Sequence, residues 1–283
     1  MDGRPIDVWN CATFDPELAD RLEPHAALVV DYYRRDHAIF LSHDLGRGPG
    51  RALIRPENSH AGAFQALREG LLPVLAGRTI RAWHYTRLTE AEVERLRREG
   101  PHPSTPHSLG ERLAAVVADG HLTGAQAAAI LAASPFQTEQ LESRRDKFWM
   151  NSHPIPVDDS GVEPLMAHWG GEVASMFLRD QAVLDGLAAI GLPRIVELAA
   201  PLRHTFHAYS AAEAVVATFA RSKGAIPAKQ DFDLYIDTPL PGAAVLAVHS
   251  EGEAAFADVG RTHPAGYVDV GVGRWKELTG DDD

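Results

Sequence analysis

Residues 79–86, Thr-Ile-Arg-Ala-Trp-His-Tyr-Thr, are predicted as a strand, which puts Ile80, Ala82, His84 and Thr86 on one face and Arg81, Trp83 and Tyr85 on the other. His84 and Thr86 can therefore address one ligand together. The exit is fixed by a capping box, Thr89-Glu90-Ala91-Glu92, with Leu88 and Val93 at the hydrophobic-staple positions and Gly100-Pro101 as the helix stop. Upstream, residues 61–75 place Phe64, Leu67, Leu71 and Leu72 on one helical face. Before that helix, residues 27–33, 37–41 and 52–54 are short apolar runs with polar or glycine-rich breaks, predicted as a β-meander. Among these, Gly46-Arg47-Gly48-Pro49-Gly50 reads as a turn. A phosphate-cradling loop needs a helix directly after it, and Ala52-Leu53-Ile54 has strand character.

Ser108-x-x-Glu111 and Thr123-x-x-Gln126 repeat the capping-box spacing and predict two helices, stopping near Gly120 and near Ser134-Pro135. Residues 147–153 form a second strand candidate, cut off by Pro154 and Pro156. A helix is predicted over 164–178, with Pro164 in its first turn and His168 and Glu172 four apart on one face. Residues 194–198 and 231–237 read as strands around a helix capped at Ser210-x-x-Glu213 and ending at Gly224. Residues 243–249 and 254–259 are predicted to form a hairpin around Glu251-Gly252-Glu253, with an edge strand at 267–270. The class is α+β.

Composition narrows the function classes. Lys and Arg number 27 against 39 Asp and Glu, a formal charge of −12, which speaks against a broad footprint for nucleic acid or an anionic membrane. Cys11 is the single cysteine, so no internal disulfide forms and a reducing compartment suits the chain. No apolar run reaches membrane-spanning length, and the N-terminus lacks a basic segment followed by an apolar one. A soluble cytoplasmic protein without a membrane partner is expected. The expected organisation is an N-terminal meander plus helix over 1–77, a main domain over 78–275, and an acidic tail over 276–283.

Read in order, a strand ending His84-Tyr85-Thr86, a helical insert, the aromatic strand at 147–153 and the run His168-Trp169-Gly170-Gly171-Glu172 resemble the elements of ADP-ribosyltransferases. The nearer likeness is to the branch of diphtheria toxin and the poly-ADP-ribose polymerases. His-Tyr-Thr-Arg-Leu followed later by Trp-Gly-Gly-Glu is also similar to an uncharacterised bacterial group. The resemblance implies split, twisted β-sheets with helical inserts and NAD as substrate. It further implies transfer of ADP-ribose to a protein or nucleic-acid acceptor, as bacterial toxins and defence effectors of that branch do. It assigns His84, Tyr85, Thr86 and Trp149 to the dinucleotide. His84 would hydrogen-bond a ribose hydroxyl and Thr86 would steady it, while Trp149 or Phe148 would replace the tyrosine that stacks on nicotinamide, which this strand lacks. The carboxylate stabilising positive charge as nicotinamide leaves would be Glu253, with Glu251 beside it, or Glu172 if that segment lines the pocket.

Other chemistry is also represented. His204 and His207, with Asp231 or Asp233, offer a His-His-carboxylate set for zinc or iron and hence an alternative reading as a metal-dependent hydrolase. Their spacing is not the i, i+4 pattern of a zinc-protease helix, and no cysteine cluster accompanies them. Arg203, His204, Arg221 and Lys223 offer contacts to dinucleotide phosphates instead. A non-catalytic binding or immunity protein is the third reading, suited by the acidic balance and the alanine-rich run at 125–133. Nucleophilic hydrolysis finds no support: there is no Gly-x-Ser-x-Gly, and Cys11 has no base pattern near it.

Overall fold

A computed structural model of the chain describes residues 4–44, 53–227 and 231–260. In chain order its longer elements begin with α1 (Pro16–Leu22), α2 (Ala26–Ile39), α3 (Ala61–Ala76), β1 (Thr79–Leu88), α4 (Glu90–Glu99), α5 (Pro106–Ala118) and α6 (Gly124–Ala133). They continue with α7 (Leu141–Arg144), β2 (Phe148–Asn151), α8 (Glu163–Ala167), α9 (Glu172–Ser175), α10 (Gln181–Ala188) and β3 (Leu192–Pro201). The last are α11 (Ala208–Ser222), β4 (Asp233–Ile236), β5 (Val245–Ser250) and α12 (Ala254–Val259). The described residues fall into two compact units, one within 4–80 and 201–232, the other within 81–200 and 233–260.

The first unit is helical. α11 packs on α3 and α2 and buries Ala211, Ala212 and each residue from Ala214 to Ala220, so its small residues let the neighbouring helices approach closely. Tyr32 stacks on Phe64 at 3.6 Å between ring centroids, Tyr33 meets the same ring edge-on at 5.4 Å, and Arg68 pairs with Glu213. The expected β-meander is corrected here: residues 27–33 and 37–39 lie in α2, and Leu53 and Ile54 are exposed and outside any strand. Val29 and Tyr33 are one helical turn apart and both buried. Burying that stripe outweighs the strand preference of Val and Tyr, which spans only about 1 kcal/mol. The turn at 46–50, the edge strand at 267–270 and the tail at 276–283 lie outside the described residues.

The second unit carries one open antiparallel sheet of five strands, in the order β4-β2-β1-β3-β5. Among the described residues this single sheet replaces the expected split pair. Trp83 pairs with Asn151 across β1 and β2, while β2 and β4 run in register from Phe148 opposite Ile236 to Asn151 opposite Asp233. One core gathers Trp83, Tyr85 and Ile195 from the sheet with Val162, Met166 and Phe256. A second core joins Leu109, Leu113, Ile130, Trp169 and Leu187 from α5, α6, the glycine turn and α10.

Capping explains several boundaries. The boxes at Thr89 and Thr123 form as expected, whereas α5 is capped a turn before the expected box, by Thr105 with Ser108, and has Pro106 in its first turn. The expected helix over 164–178 breaks into α8 and α9: His168 is extended at the end of α8, and Gly170 and Gly171 take φ values of +80° and +55°. His168 and Glu172 therefore do not share a helix face. Residues 254–259 form α12, not the second arm of a hairpin. The Glu253 carboxylate accepts the Ser250 backbone N–H at 2.9 Å and closes the turn into that helix.

Candidate functional site

His84 stands in the middle of the central strand, half-buried, and two features of β2 define its setting. Its Nδ1 lies 2.8 Å from the Trp149 carbonyl oxygen. A carbonyl can only accept, so the proton sits on Nδ1 and the lone pair is left on Nε2. The Phe148 ring lies beside the imidazole, 4.3 Å between centroids. Alternation accounts for this: Trp149 shares a face with Asn151 and therefore with Trp83, which leaves Phe148 on the face of His84 and Thr86.

Burial pulls the His84 imidazole down from its usual 6.5 to about 4; the Trp149 carbonyl opposes this and the nearby Arg112 charge adds to it. The ring is neutral at pH 7 and offers an acceptor, not a cation. Arg112, on α5, is held in place from two sides. Its Nε donates to Glu92 Oε1 at 2.8 Å, and the guanidinium lies over the Trp169 ring at 4.6 Å. Glu92 Oε2 also accepts the Trp169 indole N–H at 2.8 Å and the Thr89 backbone N–H at 2.9 Å. The box that starts α4 is thus tied to the tryptophan of Trp-Gly-Gly-Glu.

Thr86 is buried on the His84 face. Tyr85 faces the opposite core, and its hydroxyl donates to the Ile155 carbonyl at 3.1 Å and accepts that residue's N–H at 2.5 Å. Burial pushes the phenol up. The Trp149 ring is half-exposed against Tyr235, and its indole N–H donates to the Ser143 carbonyl at 3.0 Å. Glu172 Oε2 receives both Nε and Nη2 of Arg144, at 3.1 and 2.9 Å. The Ser250 backbone N–H holds the Glu253 carboxyl below the usual carboxylate range. Among the described residues neither glutamate shares a hydrogen bond or ion pair with His84.

His204 accepts from Arg203 Nε at 3.2 Å, and His207 stacks over Phe232 at 6.3 Å. Among the described residues no group of three His, Cys, Asp or Glu side chains is placed to hold a metal, and no helix is long and apolar enough to cross a membrane. Sequence reasoning missed Arg112 and also the group Arg81, Glu197 and His249. Glu197 did leave a signal, as a lone charge inside the apolar run Ile195-Val196-Glu197-Leu198.

Desolvation of His84 has a pH consequence. The unfolded chain takes up a proton below about pH 6.5 that the folded chain refuses until about 4, so this contribution is whole above 6.5 and is lost as the pH falls toward 4. Burial shifts His37 and His168 in the same direction, so the expected signature is a difference between variants. Between about pH 7 and about pH 5 the urea midpoint of His84→Gln should fall less than that of the wild type. Parallel curves would show that His84 is protonated equally in both states. Comparison of the chain with protein-family models, curated proteins and solved structures finds no match.

Proposed function

We propose that the chain binds NAD at His84 and transfers its ADP-ribose unit to a macromolecular acceptor in the cytoplasm, on a sheet of the ADP-ribosyltransferase kind. The observation that carries this reading is the fixed tautomer of His84. A neutral imidazole, anchored through Nδ1 and flanked by an aromatic ring, suits the hydroxyl of a ribose whose nicotinamide lies against that ring. Phe148 takes the place of the stacking aromatic, and Arg112 is the nearby cation that would meet phosphate. The glycosidic C–N bond breaks with its electron pair leaving on nicotinamide. The oxocarbenium centre then bonds to the acceptor nucleophile, which gives up a proton. Glu253 or Glu172 supplies the carboxylate that steadies the positive charge.

Thermal unfolding with millimolar NAD tests the binding step. A ligand at a hundred times its Kd adds about 2.7 kcal/mol to the folded state. The wild type should show an upward shift in Tm, and His84→Ala should lose it while still unfolding cooperatively. Nicotinamide release then separates the two carboxylates: Glu253→Gln or Glu172→Gln, whichever removes the working group, should slow it by about a hundredfold or more. A wild type whose Tm ignores NAD would refute the proposal.

A further inference from the structure

On the sheet face that carries Trp83 and Tyr85, three neighbouring strands bring together ionisable side chains that the His84 site does not use. Glu197 of β3 has a side chain only 9% exposed, and its Oε1 lies 2.8 Å from Nε2 of His249 on β5. Its Oε2 lies 2.9 Å from Nη2 of Arg81 on β1, without the alignment of a hydrogen bond. Burying a carboxylate costs several kcal/mol even when it is paired, and the adjoining residues of β3 are Ile195, Val196 and Leu198. An apolar residue at 197 would serve packing as well or better. The charge has another use.

The geometry shows what that use requires. Glu197 can only accept, so Nε2 of His249 donates, and in the neutral ring the lone pair falls on Nδ1. Among the described residues Nδ1 has no hydrogen bond, and it is not one of the side-chain atoms sealed from solvent. The Arg81 side chain is 45% exposed, so its remaining N–H groups face outward. The nearest other carboxylate, Glu253, feels both Arg194 and His249, and each helps to hold it below the usual carboxylate range. An imidazole and a partly exposed guanidinium that meet one carboxylate suit a group with one proton to give and one anionic oxygen to present. A phosphate monoester or hydrogen phosphate has both.

We propose that Arg81, Glu197 and His249 form a binding site for a small soluble phosphate monoester, separate from the His84 site. Arg81 takes an anionic oxygen, His249 Nδ1 accepts from the protonated one, and Glu197 is the positioning residue that fixes the imidazole tautomer.

The test titrates the full chain with inorganic phosphate at constant ionic strength, with chloride as the control salt, and follows Tm and phosphorus NMR line width. The wild type should respond saturably in the millimolar range. Arg81→Gln and His249→Gln should each weaken that response by about tenfold or more, whereas His84→Ala should leave it unchanged. Because removing a partner from Glu197 can unfold the sheet, a second measurement uses the wild type alone. Phosphate should protect His249 from diethyl pyrocarbonate, read by peptide mass. No saturable response, a response in either variant equal to that of the wild type, or an unprotected His249 would each overturn the site. None of these results bears on NAD binding at His84.

Discussion

Trp169→Ala should lower the unfolding free energy by about 3–5 kcal/mol, the range for emptying a buried aromatic position. Trp169 is 0% exposed and sits among Leu109, Leu113, Ile130 and Leu187. The substitution also removes the indole N–H from Glu92 and the ring beneath Arg112, so the start of α4 and the position of the guanidinium loosen together. Trp169→Phe keeps most of the apolar surface and loses the N–H, so it should cost much less, about 1–2 kcal/mol. Urea unfolding of both variants checks this. If Trp169→Ala lies within about 1 kcal/mol of the wild type, that core does not hold the insert.

Gly191→Ala should be nearly as damaging, by about 2–5 kcal/mol, for a reason that involves no side chain at all. Gly191 enters β3 with φ at +66°, and a Cβ there would stand 2.4 Å from the carbonyl carbon and oxygen of Leu88, at the end of β1. The left-handed conformation contributes about 1–2 kcal/mol, and the clash with a backbone that cannot swing aside about 1–3 more. Gly120→Ala separates the two effects: Gly120 has φ at +78° but nothing within 4 Å of the added atom, so it should show the conformational part alone. Equal losses at the two positions would mean that β1 and β3 yield at Leu88. A separated pair would displace the strand that carries His84, and the NAD-linked stabilisation proposed for that site should fall with it.

The features that could be read from the chain are local ones. Thr89 and Thr123 cap their helices because a hydroxyl and a side chain three residues on satisfy backbone groups within one turn. Alternation put His84 and Thr86 on one face of β1. It did not reveal that Phe148, rather than the Trp149 ring, stands beside His84, because that depends on the pairing of Trp83 with Asn151. Val29, Tyr32 and Tyr33 have side chains that suit strands, yet residues 26–39 form a helix that buries Val29 and Tyr33 and packs both tyrosines on Phe64. Gly170 and Gly171 lie where a periodic pattern runs on, and their positive φ values break it.

By itself the chain determined the caps, the strand carrying His84, the α+β class and the acidic balance, all set by interactions within a few residues or by simple sums. Tertiary structure alone decided which nitrogen of His84 is protonated, that Arg112 is pinned between Glu92 and Trp169, and that Glu197 joins Arg81 to His249. Those relations depend on strand register and on burial. Both come from packing between segments far apart in sequence, whose energy exceeds any local preference of the residues involved.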